Sequence, residues 1–118
     1  MRGDEKRVVD AFCAWLTAER WSIEQEVSFC DVVARRGDQT IFAEAKGRTA
    51  AIGLDVDTMY GQLLRRMPFD DADPRVRFAV VVPTEACSAA LRVHMRVREI
   101  LRIDVYEVRS DGAVTKVA

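Results

Sequence analysis

Between Asp4 and Arg20 the apolar residues Val8, Val9, Phe12, Trp15 and Leu16 return at three- and four-residue steps, the stripe of an amphipathic helix. Glu5 lies on that stripe, one turn before Val9. After Trp21 the period shortens. Ser22 to Gln25 and Ser28 to Arg36 read as strands, Arg36-Gly37-Asp38-Gln39 carries hairpin-turn residues, and Thr40 to Lys46 is the return strand. Asp55 or Asp57 is placed to cap a helix running to Met67, where Pro68 stops it. Arg77 to Val82 is a continuous apolar run of the buried-strand type, ended by Pro83. Thr84 reads as the N-cap of one long helix to about Arg102, with Cys87, Ala90, Leu91, His94, Val97 and Leu101 on its inner face. Ile103 to Val108 is a strand, Ser110-Asp111-Gly112 a turn, and Val114 to Val117 a short last strand.

The order is helix, three strands as a meander, helix, strand, helix, strand, with an extra edge strand, which predicts an α/β fold: a mixed central sheet flanked by helices. The hairpin makes the first part antiparallel, and the strand-helix-strand unit from Arg77 to Val108 requires a right-handed parallel crossover. At 118 residues the chain is expected to be a single domain spanning 1–118. Its length suffices to bury about two-thirds of the unfolded surface without a disulfide or zinc staple. Phe78 to Pro83, one of the two longest apolar runs, is far short of the ~20 residues of a membrane span. Cys13, Cys30 and Cys87 are widely separated, and one histidine, His94, is too few to complete a zinc site with them. An odd cysteine count with no apolar leader after the charged Met1–Arg7 segment points to the reducing cytoplasm.

Alternation makes the hairpin chemically informative, because side chains two apart share a face. Phe29, Asp31 and Val33 share one face of their strand, and Phe42, Glu44 and Lys46 one face of the next. Asp31 sits between Cys30 and Val32, and Glu44 between Ala43 and Ala45. A carboxylate in so apolar a strand is costly unless something compensates it. Two of them brought to ~4 Å repel by about 4 kcal/mol at an effective dielectric near 20. A divalent cation reverses that sign, and two carboxylates with carbonyl and water oxygens suit Mg²⁺ or Mn²⁺.

Asp31, a twelve-residue spacer and then Glu44-Ala45-Lys46-Gly47-Arg48 resemble the PD-(D/E)XK nuclease superfamily, whose restriction-endonuclease-like core has the element order just read. The tripeptide alone is weak, since Asp4-Glu5-Lys6 also fits (D/E)-x-K. Its place at the end of a hairpin strand, with an acid on the partner strand, is what distinguishes Glu44-Ala45-Lys46. One departure is Cys30, which stands where the family carries its proline. The resemblance implies a divalent-metal-dependent hydrolase of phosphodiester bonds, acting on DNA in a restriction, defence, repair or mobile-element setting. It implies Asp31 and Glu44 as metal ligands and Lys46 as the catalytic lysine. It further implies Glu5 as an acid on the first helix turned to the metal, and Gln62 as the glutamine many members place on the helix after the motif strand. Gly61 beside Gln62 suggests a close backbone approach. The alternative is the same fold serving as a nucleic-acid or protein-binding module in a larger assembly.

The net charge of −1, from 18 basic and 19 acidic residues, speaks against a coat of basic charge but says nothing of its distribution. Fifteen of the basic residues are Arg, whose planar fork suits phosphate. Arg48, just past the motif, and Arg65 and Arg66 on the second helix are the candidates for phosphate contact, followed by Arg92, Arg96, Arg98 and Arg102 on the third. Asp70, Asp71 and Asp73 concentrate acid in one turn. His94 reads as a core or interface residue, and Trp15, Trp21, Phe12 and Tyr106 as packing residues. One site per chain and a two-stranded substrate together call for a homodimer.

Overall fold

The computed structural model describes residues 2–27, 30–47, 50–67 and 75–118. The chain runs α1 (Arg2–Ala18), β1 (Ser22–Val27), β2 (Cys30–Arg36), β3 (Gln39–Ala45), α2 (Ile52–Arg66), β4 (Val76–Pro83), a 3₁₀ turn (Thr84–Ala86), α3 (Cys87–Ala90), α4 (Met95–Leu101), β5 (Ile103–Val108) and β6 (Val114–Lys116). Among the described residues the strands form one six-stranded sheet in chain order, β1 to β6. β1, β2 and β3 are antiparallel neighbours, β3–β4 and β4–β5 are parallel, and β6 returns antiparallel on β5. This is the mixed central sheet flanked by helices that the element order predicts.

Period-two alternation divides the core. Ile41, Ala43 and Ala45 of β3, Val32 and Ala34 of β2, and Ala79 and Val81 of β4 pack with Val8, Phe12, Cys13 and Leu16 of α1. Phe78, Val80 and Val82 of β4 with Ile103 and Val105 of β5 pack on the other face with Val56, Met59, Tyr60 and Leu63 of α2 and Ala90 of α3. Both parallel crossovers thus cover one face and α1 covers the other, as consecutive right-handed crossovers running the same way require. Within that face the two crossovers are tied together by the Tyr60 hydroxyl, which donates to the Ala90 carbonyl at 2.6 Å. Burial pushes that phenol up to about 12.

The expected long third helix is broken. Its first part ends at Ala90, Arg92 N–H turns back to the Ala89 carbonyl, and α4 begins afresh at Met95. His94 causes the restart: with φ −57° and ψ 141° it is the N-cap of α4, and its Nδ1 accepts from Arg96 N–H at 3.0 Å. It is therefore an exposed cap rather than a core residue, and Leu91 and Val97, expected inside, are exposed at 38% and 44%. Arg98, taken as a phosphate candidate, is buried instead, its Nε donating to the Val93 carbonyl at 2.9 Å. α2 also starts earlier than its acidic residues suggest. Ala51 is the N-cap without a side-chain bond, and Asp55 lies in the first turn. The turn expected around Asp70, Asp71 and Asp73 lies outside the described residues, as do Pro68 and Phe29.

Candidate active site

The hairpin register decides what meets at the end of the sheet. Val33 pairs with Phe42 and Val32 with Ala43, so one step further Asp31 stands across from Glu44. Gly37, at φ +61°, makes the tight turn that fixes this register. The ladder bond that would come next is replaced by a side chain: Ala45 N–H donates to Asp31 Oδ2 at 2.8 Å. Asp31 is half-buried, while Glu44 is only 1% exposed and ranks among the largest fully buried side chains. Burial first, then the contact with the Asp31 carboxyl and its charge, push Glu44 up to about 7, against the opposing pull of Arg66.

Arg66 comes from the last turn of α2, and its Nη1 is ion-paired with Glu44 Oε1. Gln62 lies half-buried one helical turn earlier on the same row, so α2 aims both side chains toward the Glu44 face of the sheet. Arg65 is exposed beside them. Lys46 is half-buried just past the end of β3, where its N–H continues the parallel pairing to the Val81 carbonyl at 3.1 Å. Alternation puts its side chain on the Glu44 face. Arg48 lies outside the described residues.

Glu5 is half-buried in the first turn of α1. Among the described residues no group of three or more His, Cys, Asp and Glu side chains gathers as metal donors, so Asp31 and Glu44 form a pair that Glu5 does not join. What α1 does bring to the site is backbone. A Cβ built on Gly47 would strike the Glu5 nitrogen and Cα and the Asp4 carbonyl carbon, all main-chain atoms that cannot swing aside. The required glycine is therefore Gly47 rather than Gly61, where a Cβ would meet nothing within 4 Å. We predict that Gly47→Ala costs about 1–3 kcal/mol, in the range of forced overpacking. The loss is read by urea unfolding and accompanied by faster amide exchange at Glu5 to Val8, because the first turn of α1 must lift away.

No family model matches the chain, and no curated protein does. Among solved structures it is similar to the crystal structure of an XisH family protein from Nostoc punctiforme, with a TM-score of 0.60 at 15% sequence identity, covering 95% of this chain and 99% of that one. A likeness at that identity establishes a shared fold.

Proposed function

We propose that the protein is a divalent-metal-dependent nuclease that hydrolyses phosphodiester bonds, with DNA as its substrate and Asp31, Glu44 and Lys46 as its site. The observation that carries this reading is the contact between two carboxyl groups on adjacent strands, one of them almost fully buried. Such a pair has no packing benefit and an electrostatic cost. Its hard oxygen donors fit Mg²⁺ or Mn²⁺, which Asp31 and Glu44 would hold with carbonyl and water oxygens completing the set. When bound, such an ion polarises a phosphoryl oxygen and lowers the pKa of water.

The chain's own residues do the rest. Lys46 orients the attacking water or steadies the charge that develops on the phosphate. Gln62 extends along the same side, and Arg65 and Arg48 supply further phosphate contacts. Asp31 holds the end of β3 through Ala45 N–H, which keeps Glu44 and Lys46 in position. A symmetric dimer would present two such sites to a duplex.

Purified protein incubated with plasmid and with single- and double-stranded oligonucleotides is expected to cleave in Mg²⁺ or Mn²⁺ and to stop on addition of chelator. One observation favours a second reading, a binding module on the same fold: Arg66 is already ion-paired with Glu44 within the chain. Under that reading the protein retains oligonucleotide, indifferent to chelator, and cuts none of it.

A further inference from the structure

A cavity of about 210 Å³ opens at the other end of the sheet, on the opposite face from the carboxylate pair. It lies where β3, β4 and β5 begin, at Thr40, Arg77 and Asp104, under the C-terminal end of α1. Four cations line it, Arg36, Arg75, Arg77 and Lys116, against two acids, Glu19 and Asp104. Asp104 is only 4% exposed and both of its oxygens are engaged. Oδ2 accepts from Arg77 Nε and Oδ1 from Arg77 Nη2, each at 2.8 Å, and Lys116 Nζ stands 3.6 Å from Oδ1. Arg75 Nη1 is also paired with the exposed Asp38 Oδ2 at 3.3 Å, so a small positive excess remains at the opening while Asp104 points inward.

Aromatic rings form the rest of the wall. Trp15, Trp21 and Tyr106 line the cavity, and both indoles are half-buried. The Arg36 guanidinium lies 4.4 Å from the Trp21 ring centroid and is held there by its Nη1 bond to the Glu19 carbonyl, 2.9 Å. Among the described residues neither indole N–H has a hydrogen-bond partner. A half-enclosed space with aromatic faces, spare donors and a positive excess is complementary to an anion that carries a flat ring. The volume is below the 300 Å³ or so of pockets for drug-sized ligands, which suits one ring with its anionic group rather than a dinucleotide or a duplex.

We infer that this cavity is a binding site for a single-ring aromatic anion of the pyrimidine nucleoside monophosphate class, separate from the Asp31–Glu44 site. The ring rests against the indoles and the phosphate meets Arg75 and Lys116, whose side chains are 56% and 52% exposed at the mouth.

The test is unusually clean because Trp15 and Trp21 are the only two tryptophans in the chain and both line the cavity. Titration of the ¹⁵N-labelled protein with uridine monophosphate is expected to shift both indole N–H cross-peaks saturably and to change the tryptophan emission in parallel. Uridine alone and inorganic phosphate alone are each expected to bind at least 10-fold more weakly. Arg75→Gln together with Lys116→Gln should weaken the nucleotide at least 10-fold without altering the circular dichroism spectrum. Arg36→Lys, which keeps the charge but loses the stacked fork, should weaken it as well, whereas Glu44→Gln should leave it unchanged. Unmoved indole peaks overturn the inference. So does inorganic phosphate binding as tightly as the nucleotide, or nucleotide affinity that survives in the folded Arg75/Lys116 double variant.

Discussion

Glu44→Gln is expected to make the protein more stable above neutral pH and to abolish metal-dependent cleavage, two opposite effects of one substitution. In the unfolded chain the Glu44 carboxyl releases its proton near its ordinary value of 4.5, whereas in the folded protein it holds the proton up to about 7. Between those values the folded state binds more protons than the unfolded one. Stability is therefore highest on the acid side and falls as pH rises through the window. The burial of Glu44 and its contact with Asp31 both act in this direction, and Arg66 only partly offsets them. A shift of this size corresponds to roughly 3 kcal/mol, lost progressively between about pH 4.5 and 7. Urea unfolding from pH 5 to 8 should show that decline in the parent and a flattened profile in Glu44→Gln, with the variant the more stable at pH 8. Cleavage in Mg²⁺ should meanwhile fall at least about 100-fold, because a ligand of the ion that would polarise the phosphoryl oxygen is lost. Asp31→Asn and Lys46→Ala should share the loss of activity. A Glu44→Gln protein as active as its parent would remove this carboxylate from the chemistry.

Arg77→Ala is expected to destabilise the fold by about 3–5 kcal/mol, the cost of leaving a buried charge without its partner. Asp104 is buried in β5 beside the sheet edge, and its two bonds from Arg77 leave only the more distant Lys116 once Arg77 is gone. Arg77 is 43% exposed, so the reverse substitution, Asp104→Ala, lets the guanidinium turn to water and should cost less. Replacing both with apolar residues, Arg77→Met with Asp104→Leu, should cost less than Arg77→Ala alone, because neither charge is then stranded. Chemical denaturation of the three variants measures the order, and an Arg77→Ala protein within about 1 kcal/mol of the parent would show that Lys116 alone compensates Asp104.

The parts of this fold legible in the sequence are those that local periodicity controls. Phe12 and Leu16 lie on the α1 stripe, and the Asp31 and Glu44 anomalies stand out because a strand's period of two makes an acid in an apolar run conspicuous. The third helix was not legible as two pieces. Its residues from Cys87 to Leu101 keep a helical spacing throughout, and the break depends on His94 turning its ring back to Arg96 N–H, a bond that apolar spacing does not signal. Asp104 carries the same signal as Asp31, an acid between Ile103 and Val105, yet its partner Arg77 lies 27 positions away across two strands. The Arg66–Glu44 ion pair likewise joins residues 22 positions apart through the α2 crossover, so arginine content and helix position suggested a phosphate contact where the fold builds an internal one. Gly47 was visible as a letter of the motif, but the backbone of α1 pressing on it was not.

The central claim is that Asp31 and Glu44 hold a divalent cation. Calorimetric titration of Mn²⁺ at pH 6.5, repeated in two buffers of different ionisation enthalpy, tests it most directly. Saturable binding is expected, with release of the proton that Glu44 otherwise keeps, visible as a buffer-dependent heat, and with its disappearance in the Asp31→Asn, Glu44→Gln double variant. No saturable heat in the parent, or the same heat in the folded double variant, would contradict it.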